Sequence, residues 1–214
     1  MKKEVKIVVP QNYSAVTLKK YLRIQKDLND YSDNKEAQDA FLVWNLCGLT
    51  PEITNALDNE TLQSIVVDLQ GFLSKTDFEL QRIVDINGVK YGFEPNLAKM
   101  SYGAYLDLTR FKDIGIDENW SSIMSILYRP ITQKRGALYD IEPYKGEEPK
   151  NKDMWLDVNM DVHFGCFFFF NRISNLLLKD TLNSSKETLV TEVNHPFIHT
   201  IFQKSGEAIH QLFR

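Results

Sequence analysis

Five phenylalanines in seven residues, inside "HFGCFFFFN" at positions 163 to 171, restrict the folds open to this chain more than any other stretch. Side chains that large and apolar must leave water, so a run of them demands either lipid or a deep protein core. Lipid fails on length and polarity. A membrane helix needs about 20 mainly apolar residues, whereas Val158 to Leu178 carries Asn159, Asp161, His163, Asn171, Arg172 and Asn175, a load that is costly in hydrocarbon. On a helix, Val162, Gly165, Phe168, Phe169, Arg172, Ile173, Leu176 and Leu177 fall near one stripe, while Phe164, Phe167 and Phe170 spread round the other side. The spacing therefore predicts a long central helix over about 158–182, covered on most of its circumference. Gly165 in mid-helix gives up about 1 kcal/mol of propensity against alanine. A second backbone or an aromatic ring crossing there would explain it.

A chain of 214 residues is long enough for one good-sized core. With 43% hydrophobic and 25% charged residues it has the balance of an ordinary folded protein. A net charge of -4 lacks the basic face that general phosphate neutralisation requires, so nucleic-acid contact is not indicated. Cys47 and Cys166 each sit in an apolar run and read as buried thiols of a reducing compartment. The opening "MKKEVKIVVPQNY" holds too short an apolar run for a signal-peptide core.

Helical periodicity starts at "TLKKYLRIQKDLNDY", where Leu18, Tyr21, Leu22, Gln25 and Leu28 follow Thr17 as N-cap. "NKEAQDAFLVWNLCG" repeats it with Ala37, Ala40, Phe41 and Trp44, and Gly48 stands where a helix end uses glycine. Thr50 and Pro51 open a third helix, and "DNETLQSIVVDLQGFL" places Leu62, Ile65, Val66 and Leu69 on a fourth. The period then changes. Asn87-Gly88 in "FELQRIVDINGVKYGFEP" predicts a type I′ hairpin over about 78–94, with Asp85 opposite Lys90 and Val84, Ile86, Val89, Tyr91 and Phe93 on the other face. A lone hairpin is marginal in water, so helices must cover it.

Helices resume with "SYGAYLDLTRF" and "NWSSIMSILYRP", the latter running to Pro130. "ITQKRGALYDIEPYKGEEPKNKD" has no helical stripe and reads as a long connector, of the kind that often carries function or meets a partner. Asp157 would cap the central helix. After the polar "NSSKET", Asn194 and Pro196 start a last helix with Phe197, Ile198, Ile201, Phe202, Ala208, Ile209, Leu212 and Phe213 on one wide stripe. The expected fold is α+β and mainly helical, a multi-helix bundle with one β-hairpin and the Phe-rich central helix. A body of 1–191 would be followed by a C-terminal amphipathic helix at 192–214 that either folds back on its own body, the commoner outcome for such a helix, or docks in a groove of a neighbouring subunit, in which case its partner-binding residues are Phe197, Ile201, Phe202, Ile209, Leu212 and Phe213.

Catalytic signatures are missing: there is no P-loop, G-x-G-x-x-G, H-E-x-x-H or G-x-S-x-G. A non-enzyme without cofactor is expected. The best rival constellation is His195 and His199, one helical turn apart, which would need His163 or Cys166 as a third metal ligand. Asp117-Glu118 and Glu147-Glu148 are adjacent acids beside turns and read as solvating charge rather than an acid/base couple. Tyr139, Tyr144 and Trp155, with Lys134 and Arg135, would suit stacked single-stranded bases. The plainer reading has these aromatics pin the long connector to the body.

Five blocks stand in a telling order: "NGVKYGFEPNLAKMSYGAYLDL", a Trp, "LYRPI", "IEPYKG" and "HFGCFFFFNRISNLLLKDTL". Together they resemble a group of small virion-associated proteins of tailed bacteriophages, crAss-like phages among them, and the likeness covers residues from about 80 to 183. The front end, with "LCGLTPEITNAL", is similar to helical tail assembly chaperones of phages. The resemblance implies a structural or co-packaged cargo protein, multi-copy among other virion proteins and without a membrane span. Its place would be the virion, and the host cytoplasm during assembly. No catalytic residue belongs to the pattern. An assembly chaperone absent from the finished particle and a small metal-dependent enzyme are the alternatives.

Overall fold

A computed structural model describes residues 6–31, 33–75, 77–110, 116–145, 152–169 and Arg172. Their described parts form two compact units, one from the chain before Phe78 together with 159–161, the other from 78–158 and from Val162 onward.

The first unit is helical, and its helices end where local chemistry ends them. Helix α1 (Leu18–Leu28) starts behind Thr17, whose hydroxyl accepts from the Lys20 N–H (3.3 Å). Asn34 caps α2 (Lys35–Cys47) through the Ala37 N–H (2.9 Å), and Gly48 closes it with φ 67°, a left-handed conformation glycine adopts without strain. Thr50 caps α3 (Pro51–Asn55), and Asp58 caps α4 (Asn59–Leu73) through both the N–H and the hydroxyl of Thr61. Each side chain thereby satisfies donors that a helix start leaves orphaned. Helix α2 touches α1, α3 and α4. It therefore buries Phe41, Val43 and Leu46 on a wider arc than its expected stripe, and Trp44 is left half-buried. Leu18, Ile24, Ile65, Val66, Leu69 and Phe72 complete this core with Tyr13, whose hydroxyl donates to the Leu73 carbonyl (3.0 Å). The short segment 159–161 joins through a Met160 N–H to Val16 carbonyl bond (2.8 Å).

In the second unit the predicted hairpin is present, but it is half of a larger sheet. Strands β1 (Ile83–Ile86) and β2 (Val89–Phe93) meet round Asn87 (φ 53°) and Gly88 (φ 81°), with Asp85 opposite Lys90 and Val84 opposite Tyr91, as the turn chemistry requires. Strand β3 (Tyr128–Arg135) then pairs with β2, and β4 (Leu138–Ile141) with β3, giving an antiparallel sheet in the order β1-β2-β3-β4. This corrects the single hairpin. The stretch from Ile131 expected as a connector is largely a second hairpin, turning at Gly136 (φ 62°). The helix that was to run to Pro130 is α6 (Trp120–Leu127), and Tyr128 is already in β3. Proline is tolerated in β3 because its carbonyl takes the Glu142 N–H (2.9 Å) just beyond the last residue of β4, where a missing donor costs one terminal rung. A register shift between Ile131 and Gln133 further blurs the alternation that would have shown a strand.

Val84, Tyr91, Phe93 and Tyr128 on one face of this sheet are buried. Tyr91 and Tyr128 meet Trp155, from the 3-10 segment Lys152–Asp157, and Phe93 meets Phe169, with ring centroids 5.2–5.8 Å apart. Helix α5 (Tyr102–Arg110) buries Ala104 and Leu108, and α6 buries Trp120, Ile123, Met124, Ile126 and Leu127. Of the expected central helix, residues 160–169 are helical; it begins at Met160 rather than beside Asp157, and its continuation toward 182 lies outside the described residues apart from helical Arg172. Positions 162–167 are all buried. Gly165 lies against the Glu79 backbone carbonyl so closely that a Cβ would overlap it, the crossing that the sequence called for. The mainly helical α+β class holds, and among the described residues no helix is long and apolar enough to cross a membrane.

Candidate functional site

Four separated stretches of the second unit converge on one polar node. Glu94 leaves β2, its N–H donating to the Leu127 carbonyl (2.7 Å), and its carboxylate accepts from the Arg129 guanidinium on β3. Only 10% and 12% of these two side chains is exposed. Helix α5 contributes Asp107, which accepts from the Tyr144 hydroxyl after β4 and pairs with Arg110 (3.0 Å). Gly103, one turn earlier on α5, has the Tyr144 ring 3.6 Å from the place a Cβ would take. Burial, and then the bond to Asp107, raise the Tyr144 phenol far above its ordinary range, so it stays a neutral donor. Arg129 opposes that shift slightly, which puts its charge within reach of the ring.

A second tie lies beside it. Tyr139 of β4 lies over Gly92 of β2, its ring 2.5 Å from where a Cβ would stand, and its hydroxyl donates to the Phe93 carbonyl (2.7 Å). Only glycine leaves room for that ring. Tyr128 reaches the Gln81 carbonyl in the same way (2.7 Å).

Chemically this arrangement binds strands and helix together. Each carboxylate has a cationic or phenolic partner, and the node holds no cysteine, serine or histidine that a base would activate. Among the described residues the buried Arg129 Nε has no hydrogen-bond partner. Sequence reasoning missed both pairs. The available signal was a single charge inside otherwise apolar runs, Glu94 in "YGFEP" and Arg129 in "ILYRPI"; such a charge is seldom buried unless paired.

The predicted site residues fare unevenly. Phe197, Ile201, Phe202, Ile209, Leu212 and Phe213 lie outside the described residues, as do His195, His199 and Glu147-Glu148. His163 and Cys166 are fully buried. The Trp120 indole N–H donates to His163 Nδ1 (3.0 Å), and His163 Nε2 is 3.1 Å from the Trp155 carbonyl, so neither nitrogen is free for a metal. Burial pushes the Cys166 thiol far up and that of half-buried Cys47 up as well, which keeps both protonated and poorly nucleophilic. Among the described residues no group of three or more His, Cys, Asp or Glu is placed to hold a metal ion. Asp117 and Glu118 are exposed, and Asp117 accepts from the Asn119 N–H (2.7 Å) in the turn before α6. Tyr139, Tyr144 and Trp155 are all engaged within the unit, while Lys134 and Arg135 are exposed on the second hairpin.

No family model, no curated protein and no solved structure matches this chain.

Proposed function

We propose that this chain is a non-enzymatic component of a tailed bacteriophage virion, a structural or co-packaged cargo protein of the head or tail assembly. One observation carries the reading. The ordered blocks that resemble phage virion-associated proteins supply the polar node: "FEP" gives Glu94, "SYGAYLDL" gives Gly103 and Asp107, "LYRPI" gives Arg129 and "IEPYKG" gives Tyr144. A pattern whose polar residues are spent on tying elements to each other suits a protein that works by shape and contact. Mass spectrometry of purified particles tests it. Finding the chain in stoichiometric amount supports the reading, and its absence from mature virions overturns it.

The likeness of "LCGLTPEITNAL" to tail assembly chaperones favours a second reading, a chaperone that helps build the tail or head and is not retained. It predicts abundance in infected cells and none in finished particles. Of the two third ligands open to the metal-dependent enzyme based on His195 and His199, His163 has both nitrogens engaged, which leaves Cys166. Stoichiometric zinc by elemental analysis, lost in a His199→Ala protein, supports that alternative, and a metal-free protein of unchanged stability ends it.

Under the virion reading, the C-terminal stripe at Phe197, Ile201, Phe202, Ile209, Leu212 and Phe213 docks in a groove of a neighbouring subunit, and the central helix continues to about 182. Removing residues 192–214 then leaves a folded, soluble chain that no longer joins the particle. A truncated chain that melts far lower by itself would assign the helix to the monomer's own core.

A further inference from the structure

His163 is sealed in the aromatic core of the second unit and is the least exposed of its described buried polar residues. It is 0% exposed, as are Trp120 and Trp155, the two residues that hold it. An indole N–H can only donate and a carbonyl can only accept. The bonds to Trp120 and to the Trp155 carbonyl therefore admit one form of the ring, the neutral imidazole with its proton on Nε2. Adding a proton at Nδ1 would set N–H against the indole N–H and lodge a cation among rings.

The surroundings offer that cation little. Helix α6, "WSSIMSIL", has no ionisable side chain. In the 152–157 segment Asp153 and Asp157 are exposed to solvent and Lys152 carries the same sign as an imidazolium. Beneath Trp155 the strands present the phenol rings of Tyr91 and Tyr128, and the helix itself presents the Cys166 thiol, which burial keeps protonated. Asp161, two residues before His163, interacts with Ser14 and Lys75 in the first unit. The groups that favour a charged ring are the carbonyls of Trp155 and Val158, and burial outweighs them.

We propose that His163 is an acid-release pin: neutral, it ties α6 to the 152–157 segment across the aromatic core, and its protonation unlocks the second unit. Burial holds the ring down at about 4 in the folded protein, against about 6.5 in an unfolded chain. The unfolded state therefore binds the proton more readily. The stabilisation is complete above pH 6.5, falls as pH drops from about 6.5 to 4, and changes no further below that. From pH 7 to pH 5 the unfolding equilibrium constant should rise about 20-fold on this account alone. Unperturbed carboxylates titrate mainly below this window.

Urea unfolding of the full chain at pH 7, 6 and 5, followed by tryptophan fluorescence, tests the pin against His163→Gln. The variant should lose most of the 20-fold acid sensitivity, and His195, His199 and His210, common to both proteins, cancel in the comparison. Equal sensitivity in the two proteins overturns the proposal. If His163→Gln does not fold, nitrogen NMR of the natural imidazole decides: a neutral ring protonated on Nε2 at pH 5.5 supports the pin, and titration near 6.5 while the protein stays folded overturns it.

Discussion

Each unit is held together internally by a different kind of polar contact. In the first, the capping bonds run three residues forward: Asn34 to Ala37, Thr50 to Ile53, Asp58 to Thr61. In the second, the decisive bonds join residues far apart in the chain: Glu94 to Arg129, Asp107 to Tyr144, Trp120 to His163, Tyr128 to Gln81. Exceptions exist in both, among them the Tyr13 bond to Leu73 and the Asp85 bond to the Gly88 N–H. Local caps form as soon as a helix forms, whereas long-range ties must first close loops of 35 residues or more, at an entropic cost that grows with loop length. A helical unit of the first kind should tolerate loss of one capping bond better than the second tolerates loss of one long-range tie. The second depends on a few.

Substitutions in matched positions can break that contrast. Trp120→Ala removes a wholly buried ring that packs on Phe167 and holds His163, and should cost about 3–5 kcal/mol in urea unfolding. Trp44→Ala in the first unit, half-buried against Phe41, should cost about 1–2 kcal/mol. Equal losses would erase the distinction. Glu94→Met leaves the Arg129 cation nearly buried without its anion and should cost about 2–3 kcal/mol, somewhat below a fully enclosed pair because a tenth of each side chain remains wet. The double change Glu94→Met with Arg129→Met should recover most of that loss, since both charges are gone; a double variant as unstable as the sum of the singles would show that the pair does not interact.

Glycine to alanine gives a test of sign. Gly71 on α4 has nothing within 4 Å of a new Cβ, so Gly71→Ala should stabilise by up to about 1 kcal/mol. Gly165→Ala drives a methyl into the Glu79 backbone and should destabilise by about 1–3 kcal/mol. A gain at both positions would mean that the backbone does not cross at Gly165. Smaller still, Asn34→Ala should cost about 1 kcal/mol, read as a lower melting temperature. The Asp58 carboxyl is held below its ordinary range by the Thr61 N–H. Its contribution is therefore present above the unfolded value near 3.9 and disappears as pH falls through the lower folded value. Asp58→Asn should flatten the acid limb below pH 4 and leave the region between pH 4 and 6.5 unchanged.

What could be read directly from the residues shares one property: its cause lies within a few positions. Thr17 and Thr50 cap, Gly48 closes and Asn87-Gly88 turns because each acts on a backbone its own neighbours define. Gly165 announced a crossing because a helix rarely keeps glycine at its centre without one. The rest was decided in three dimensions. Strand β3 is built from "YRPITQKR", where a proline, a register shift and four exposed polar residues hide the period of two, so pairing with β2 over 128–130 and with β4 from Ile131 on makes it a strand where propensity does not. The sequence shows Glu94, Arg129, Asp107 and Tyr144 as four polar residues scattered over fifty positions, and only strand register and the packing of α5 make them partners. His163 is an ordinary histidine as a letter. Its neutral state is set by two indole-bearing residues, Trp120 and Trp155, that the fold brings to its two nitrogens while excluding water, since desolvation is a property of enclosure and not of sequence.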